Sequence, residues 1–462
     1  MTGMEMRYSA LLPEVVLLAA AVLALLWGSF LPLHRQVLTR WFTLGSLVVS
    51  AAAGLTALLG PDDSVFTDTY TIDQSSGVIR ILAPIATMLV ILIGRWEFVA
   101  SPRESETYSL LLLSTLGTVV LAGATDLLVL VAGFLLASIP MYALIGLSRS
   151  KTAAEATVKT YLMGALFGVL LLAGVTVLTG LAASSTYSGM ASGLDDAPYL
   201  AVAGGAGAVL IGLLFKAGGV PGHFWVPDAA QASGTAIAAF VTTVPKLGAL
   251  VALARLVDVM PPTVDVPLLV AVLAAVSMTV GNLAALAQTN VKRLLGWSTV
   301  SQVGYLLMPV AVIGRADDAA PALSAYLVFY SVTNIGAFAV VTCLPGRPSL
   351  TDYAGVARRH PWLTGSLVVA ALSLVGTPPT AVFFGKLAVF TAAWDGGMAW
   401  LVVVAAVNTV LSLVYYLRLL TAPFWAGSSG GSAERTSVHV AAAVPITLAV
   451  VILVIGFVDS TS

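Results

Sequence analysis

The sequence has a single cysteine, Cys343, in 462 residues. That excludes an internal disulfide and any cysteine-based metal or iron–sulfur site. Charge is scarce as well: 9% of residues are Asp, Glu, Lys or Arg, against roughly 25% in a soluble domain. So little charge cannot solvate the surface of a soluble protein of this length. The net charge of −1 gives no basis for a nucleic-acid partner. Long polar stretches are missing, so no soluble domain fits between the apolar runs, and soluble enzymology falls to a partner chain. The sequence also lacks a Gly-rich phosphate loop, a histidine pair at metal spacing and a Ser/His/Asp arrangement. Nothing in it reads as a redox active site, and no cofactor or metal is expected in this chain.

What is present is apolar: 59% of residues are hydrophobic. Runs of about 20 residues, each long enough to cross a hydrocarbon core roughly 30 Å thick, recur from end to end. They lie near 11–33, 41–60, 77–94, 107–124, 126–147, 156–183, 199–221, 233–257, 266–288, 294–313, 320–344, 362–392, 399–420 and 438–458. The first is too long for a signal-peptide core and reads as helix one. Short polar links such as 61–73 and 427–436 separate the runs. The pattern predicts an all-α integral membrane protein of about 14 transmembrane helices. Loop charge agrees: thirteen Lys and Arg residues, Arg35 through Arg435, fall on one side of this arrangement, and only Arg7, Arg80, Arg255 and Arg315 on the other. The positive-inside rule then puts both termini outside.

Four lysines remain within the apolar windows: Lys159, Lys216, Lys246 and Lys386. A charge at a helix centre costs roughly 2.5–3.5 kcal/mol on insertion scales, so such residues mark function by default. Lys159, near its helix start, fits snorkelling to the interface as well as it fits a role in transport. Desolvation disfavours a charged amine, which suits a buried lysine to loading and releasing a proton. Two windows are broken, at Pro221 and at Pro378 and Pro379. Proline removes a backbone donor and clashes with the preceding turn. Such breaks persist in a membrane only where protein or a hydrated cavity surrounds them. They sit in helices 7 and 12, five apart, so helices 4–8 and 9–13 would be two inverted five-helix repeats, a transporter pattern. The chain then divides into 1–106 (helices 1–3), 107–258 (first repeat), 259–425 (inverted second repeat) and 426–462 (helix 14). His223, just after the first break, is a candidate relay between Lys216 and Lys246, or a structural histidine bonded to a loop carbonyl. Tyr305, Asn282 and Asn334 read as bridges between helices or holders of water.

The run KAGGVPGHFWVPDAAQASGTAIAAFVTTVPKLGALVALAR (216–255) resembles the core of the antiporter-like membrane subunits of respiratory complex I, and of the subunit N family of bacterial NADH–quinone oxidoreductase in particular. The Leu12-Pro13-Glu14 start, GNLAALAQTNVKRLLGWSTVSQVGYLL (281–307), YSVTNIGAFAVV (330–341), DYAGVARRHPWLTGSLVVAALSLVGTPPTAVFFGK (352–386) and Tyr415-Tyr416-Leu417-Arg418 are similar too. The resemblance covers nearly the whole chain. It implies two inverted repeats and a line of buried lysines, histidines and waters carrying protons, with Lys216, Lys246, Lys386, Lys159 and His223 at matching positions. It implies a bacterial cell membrane, other membrane subunits as partners, and FMN, iron–sulfur clusters and quinone in partner subunits. Two departures stand out. The family's helix-five glutamate, three residues before a Ser-x-Pro turn, is Leu135 here, which would leave Lys216 neutral more of the time. The loop Ala230-Gln231-Ala232-Ser233-Gly234 replaces a Tyr-Glu/Gln-Gly-Ala-Pro pattern. Alternatives are a divergent non-conducting structural paralogue and a subunit of a multisubunit cation/proton antiporter.

Overall fold

The computed structural model describes residues 8–99, 101–426 and 443–459. Arg7, Arg435, the 427–436 link and the first residues of the last apolar window lie outside the described residues. The architecture is helical, as its hydropathy requires. α1 (Leu12–Phe30), α2 (Val37–Leu58) and α3 (Gln74–Ile93) come first, followed by the short α4 (Arg95–Phe98). Then come α5 (Glu104–Gly123), α6 (Leu127–Gly146), α7 (Lys151–Ala182), the short α8 (Tyr187–Gly193), α9 (Tyr199–Ala217), α10 (Trp225–Ala232) and α11 (Thr235–Asp258). The rest are α12 (Val266–Leu286), α13 (Val291–Val310), α14 (Ala319–Cys343), α15 (Val356–Arg359), α16 (Pro361–Val375), α17 (Ala381–Asp395), α18 (Ala399–Thr421) and α19 (Ala443–Asp459). Eleven of the described helices are long and apolar enough to cross a membrane. The chain is a multi-pass membrane protein.

Three features differ from the hydropathy pattern. α7 starts at Lys151, five residues before its apolar window, because Ser150 accepts the Ala153 N–H as a side-chain cap and starts the helix in a polar stretch. α10 lies outside every window. Its sequence WVPDAAQA buries Trp225, Val226, Ala229 and Ala230 while Asp228 faces out. A two-stranded hairpin, β1 (Asp63–Val65) and β2 (Tyr70–Ile72), pairs antiparallel in the α2–α3 link. It brings Tyr70 over Glu14, whose carboxylate accepts from the Tyr70 hydroxyl at 2.6 Å and from Arg80 Nε at 2.7 Å. Burial, with Glu14 beside it, pushes the Tyr70 phenol well above its usual range, so it acts as a neutral donor. Arg80 is fully buried in the second turn of α3 rather than in a loop.

α11 is the axis of the fold, with every residue from 236 to 254 buried. α3, α5, α9, α13 and α14 pack around it. At Gly248 the backbone of α5 comes so close that a Cβ would overlap the Thr118 carbonyl. α13 is not among the helices apolar enough to cross by hydropathy. It is buried on nearly every side, so it faces protein rather than lipid and can carry Ser298, Thr299, Ser301, Gln302 and Tyr305.

Candidate functional site

Both broken windows end their first half in the same way. α9 terminates at Gly218 and α16 at Gly376, each in the left-handed region at φ 83° and 87°. The Gly218 N–H donates to Leu214 and Phe215, and the Gly219 N–H to Leu214. The Gly376 N–H donates to Leu372 and Ser373, and the Thr377 N–H to Leu372. This is the Schellman arrangement, which satisfies two of the four carbonyls a helix leaves free and depends on glycine at the left-handed position. Pro221, Pro378 and Pro379 follow, where the chain cannot continue as helix.

Side chains take up carbonyls that the caps leave. At the end of α16, Gln302 Nε2 donates to the Leu374 carbonyl at 2.8 Å and Lys386 Nζ to the Val375 carbonyl at 2.8 Å. All four terminal carbonyls of α16 are therefore bonded. The negative end of the helix dipole also favours an amine there. At the end of α9, by contrast, Trp225 Nε1 adds a second donor, at 2.9 Å, to the Phe215 carbonyl that the Gly218 N–H already bonds.

Lys216, Lys246 and Lys386 are buried on α9, α11 and α17. Lys216 Nζ donates to Ser138 Oγ at 3.2 Å and lies 4.0 Å from Met141 Sδ. Ser138 gives its own proton to the Phe134 carbonyl, which leaves its lone pairs for the amine. Lys246 Nζ lies 3.5 Å from the Tyr330 hydroxyl and 5.3 Å from the centre of that ring. Lys386 also donates to Thr409 Oγ1 at 3.3 Å and stands 4.1 Å over the Tyr305 ring. Among the described residues, no carboxylate lies within 4 Å of any of the three. Their partners are hydroxyls, a thioether, a carbonyl and aromatic faces.

A polar seam from α13 and α14 lies between Lys246 and Lys386. The Tyr330 hydroxyl donates to the Thr242 carbonyl at 2.8 Å and shares a hydrogen bond with Thr299 at 3.1 Å. Tyr326 donates to Gln302 Oε1 at 2.5 Å, and Ser298 bonds Tyr416. The Tyr305 hydroxyl bonds Thr409 at 3.0 Å, beside Lys386. Sequence reasoning missed Tyr330, Thr299 and Gln302. The signal was available as hydroxyls and an amide inside windows otherwise apolar. Asn334 spans α14 to α11 through Thr242 and Thr243, and Asn282 spans α12 to α18 through Asn408.

The other candidates lie apart. Lys159 is half exposed and pairs with Glu155 at 2.6 Å and Asp228 at 3.5 Å. It lines a cleft of about 340 Å³ with Arg293, which itself bonds Asp228 and Gln231. His223 is buried against Phe224 and Trp297, close to the Pro221 backbone; among the described residues Nδ1 has no hydrogen-bond partner, and the ring makes no hydrogen bond to either lysine. Leu135 is 41% exposed on the outer side of α6. Ser138, one turn on, is the group that meets Lys216. Asp126 is occupied as the cap of α6, accepting from Leu128 and Val129. Among the described residues, no three or more His, Cys, Asp and Glu gather as a metal site.

Residues 124–412 match the family model described as NADH:quinone oxidoreductase/Mrp antiporter, TM. The chain is 51% identical to "NADH-quinone oxidoreductase subunit N" of Mycobacterium sp. (strain JLS), over 98% of this chain and 97% of that one. A chain of respiratory complex I from Thermus thermophilus, solved with bound aureothin, superposes with a TM-score of 0.84 at 32% identity, covering 97% of each. A chain of the Mrp complex from Dietzia sp. DQ12-45-1b shares the fold, with a TM-score of 0.85 at 22% identity over 99% of this chain and 96% of that one. This chain belongs to the NADH:quinone oxidoreductase/Mrp antiporter transmembrane family.

Proposed function

We propose that this chain translocates protons as a membrane subunit of a complex-I-like NADH–quinone oxidoreductase. The observation that carries this reading is the row of three buried amines, Lys216, Lys246 and Lys386, held by neutral groups. An amine whose partners are neutral can lose its proton without stranding a buried anion, so it can cycle. The hydroxyl and amide seam through Tyr330, Thr299 and Gln302 supplies polar groups that water can join into a path. His223, with a free ring nitrogen, would take up a proton beside the break at Pro221, and Lys159 would sit at a mouth of the path.

In this reading the chain makes fourteen crossings with both termini outside. Helices 1–3 occupy residues 1–106, two inverted repeats follow at 107–258 and 259–425, and a last helix lies in 426–462. The matching caps at Gly218 and Gly376 support the repeat. FMN, iron–sulfur clusters and quinone belong to partner subunits in a bacterial cell membrane. The close relation to a subunit N sequence, against 22% identity to the Mrp chain, favours respiration over cation/proton antiport. The second reading, a non-conducting paralogue, draws on Leu135.

The test is Lys246→Met in the assembled complex, measured as protons moved into inverted membrane vesicles per NADH oxidised. Loss of pumping with assembly intact is expected, and normal pumping removes the assignment. Affinity isolation of the tagged chain tests the partners. Recovery with NADH- or quinone-reacting subunits supports respiration, and recovery with antiporter-like chains alone supports the Mrp-type reading.

A further inference from the structure

We infer that Asp73 and Glu97, which flank α3, are positioning residues that grip α11 at its two ends and fix where Lys246 sits. This rests on the proton-path reading above.

The geometry is two-ended. Glu97 lies in α4, just after α3. Its carboxylate accepts the first N–H groups of α11, from Thr235 at 2.8 Å and Ala236 at 3.1 Å. A carboxylate at a helix N-terminus satisfies free donors and meets the positive end of the dipole. Asp73 caps the start of α3 and accepts from Ser76 N–H. The same carboxylate takes Arg255 Nη2 at 2.7 and 2.8 Å in the last turn of α11. α3 and α11 pack along each other between these points. Lys246 lies eleven residues from Thr235 and nine from Arg255, about 16 and 13 Å of helix rise. It therefore sits near the middle of a helix held at both ends by one neighbour.

The sequence around the first grip is fitted to it. Gly234 precedes α11 in the loop that departs from the family pattern. A Cβ there would overlap Glu97 Oε2, so the missing side chain makes room for the carboxylate. A Cβ on Gly94 would stand 2.7 Å from the Ala236 Cβ, so that glycine lets α11 come close. Lys292 of α13 is the cation beside Glu97, and it donates to the Ser233 carbonyl at 2.6 Å. At the second grip, Arg255 Nε also donates to the Ala122 carbonyl at 2.9 Å, tying in α5. The proton-path lysine is thereby referenced to the N-terminal helices as well as to its own repeat.

The experiment uses the whole complex carrying Glu97→Ala, Gly234→Ala or Asp73→Asn, with Lys246→Met as control. Hydrogen–deuterium exchange reads the start of α11, and vesicle assays read protons moved per NADH across pH. Removing the carboxylate or displacing it should speed exchange at Thr235 and Ala236 about tenfold, as loss of a side-chain cap does. Pumping should fall, and its pH profile should shift as Lys246 moves relative to Tyr330. A purely structural role would lower assembled complex without moving the profile. Unchanged exchange in both Glu97→Ala and Gly234→Ala overturns the grip. Faster exchange with an unshifted profile overturns the positioning role. Normal pumping in Lys246→Met overturns the proton-path reading instead, with the exchange result standing by itself. If Glu97→Ala fails to assemble, Gly234→Ala carries the test, since the Gly234 backbone (φ −55°, ψ 154°) suits alanine.

Discussion

Glu14 and Arg80 form a buried ion pair whose removal should be strongly non-additive. The side chains are 10% and 0% exposed, and the pair is joined at 2.7 Å. Breaking a buried pair from one side costs about 3–5 kcal/mol, because the other charge is left uncompensated. Among the described residues, Glu14→Leu leaves the Arg80 guanidinium without a carboxylate, and Arg80→Met leaves a carboxylate with Tyr70 as its one donor. Each single change should cost roughly that much. Glu14→Leu with Arg80→Met removes both charges, and replacing a whole pair by apolar residues is often neutral. The residual cost is the Tyr70 hydroxyl, which loses its 2.6 Å acceptor and, among the described residues, is left with the long contact to the Val119 carbonyl at 3.4 Å. An unsatisfied hydroxyl costs about 1–3 kcal/mol. The double variant should thus be more stable than either single one by about 2 kcal/mol, the gap between those two penalties. SDS titration of the purified chain in mixed micelles, followed by circular dichroism, measures the series. A double variant less stable than both singles would refute the buried-pair reasoning.

Further predictions concern the path. Leu135→Glu restores a carboxylate one turn from Ser138 and should raise proton transport in vesicles; unchanged transport in a folded protein counts against that account. Tyr330→Phe removes the hydroxyl nearest Lys246, and pumping per NADH should drop about tenfold, the equivalent of one hydrogen bond to a charged group. Gln302→Leu strips the Leu374 carbonyl and the Tyr326 hydroxyl of a partner, at about 1–3 kcal/mol each, which the same SDS titration reads; Gln302→Glu should fall between wild type and leucine.

Hydropathy made the spans legible because lipid-facing helices must be apolar on the outside. It says less where a helix faces protein, because such a helix is free to carry polar groups. α13 can hold Ser298, Thr299 and Gln302 because almost none of its surface meets lipid. α10 is eight residues long and packs against α13 under a charged cleft, so it gave no apolar run. The three buried lysines were readable as misfits, since each interrupts a window. Their partners were not. Ser138 is 78 residues from Lys216, and Tyr330 is 84 from Lys246. The Glu14–Arg80 pair spans 66 residues. Counting Arg80 as a loop charge hid a guanidinium already inside its window, which must find an acid. Lys159 shows the reverse: an apolar window held a lysine that the fold turns outward to Glu155 and Asp228.

The end of α16 ties the movement of an amine to the wetting of a break. Lys386 occupies the Val375 carbonyl, and Gln302 the one before it. Among the described residues, no other donor bonds the Val375 carbonyl. If the lysine swings toward another site, Val375 is stranded in a low-dielectric interior unless a water arrives as the amine leaves. Hydration of the break and displacement of Lys386 are then one event. In the proposed proton path, the second half-helix would then act as a valve whose plug is Lys386 itself.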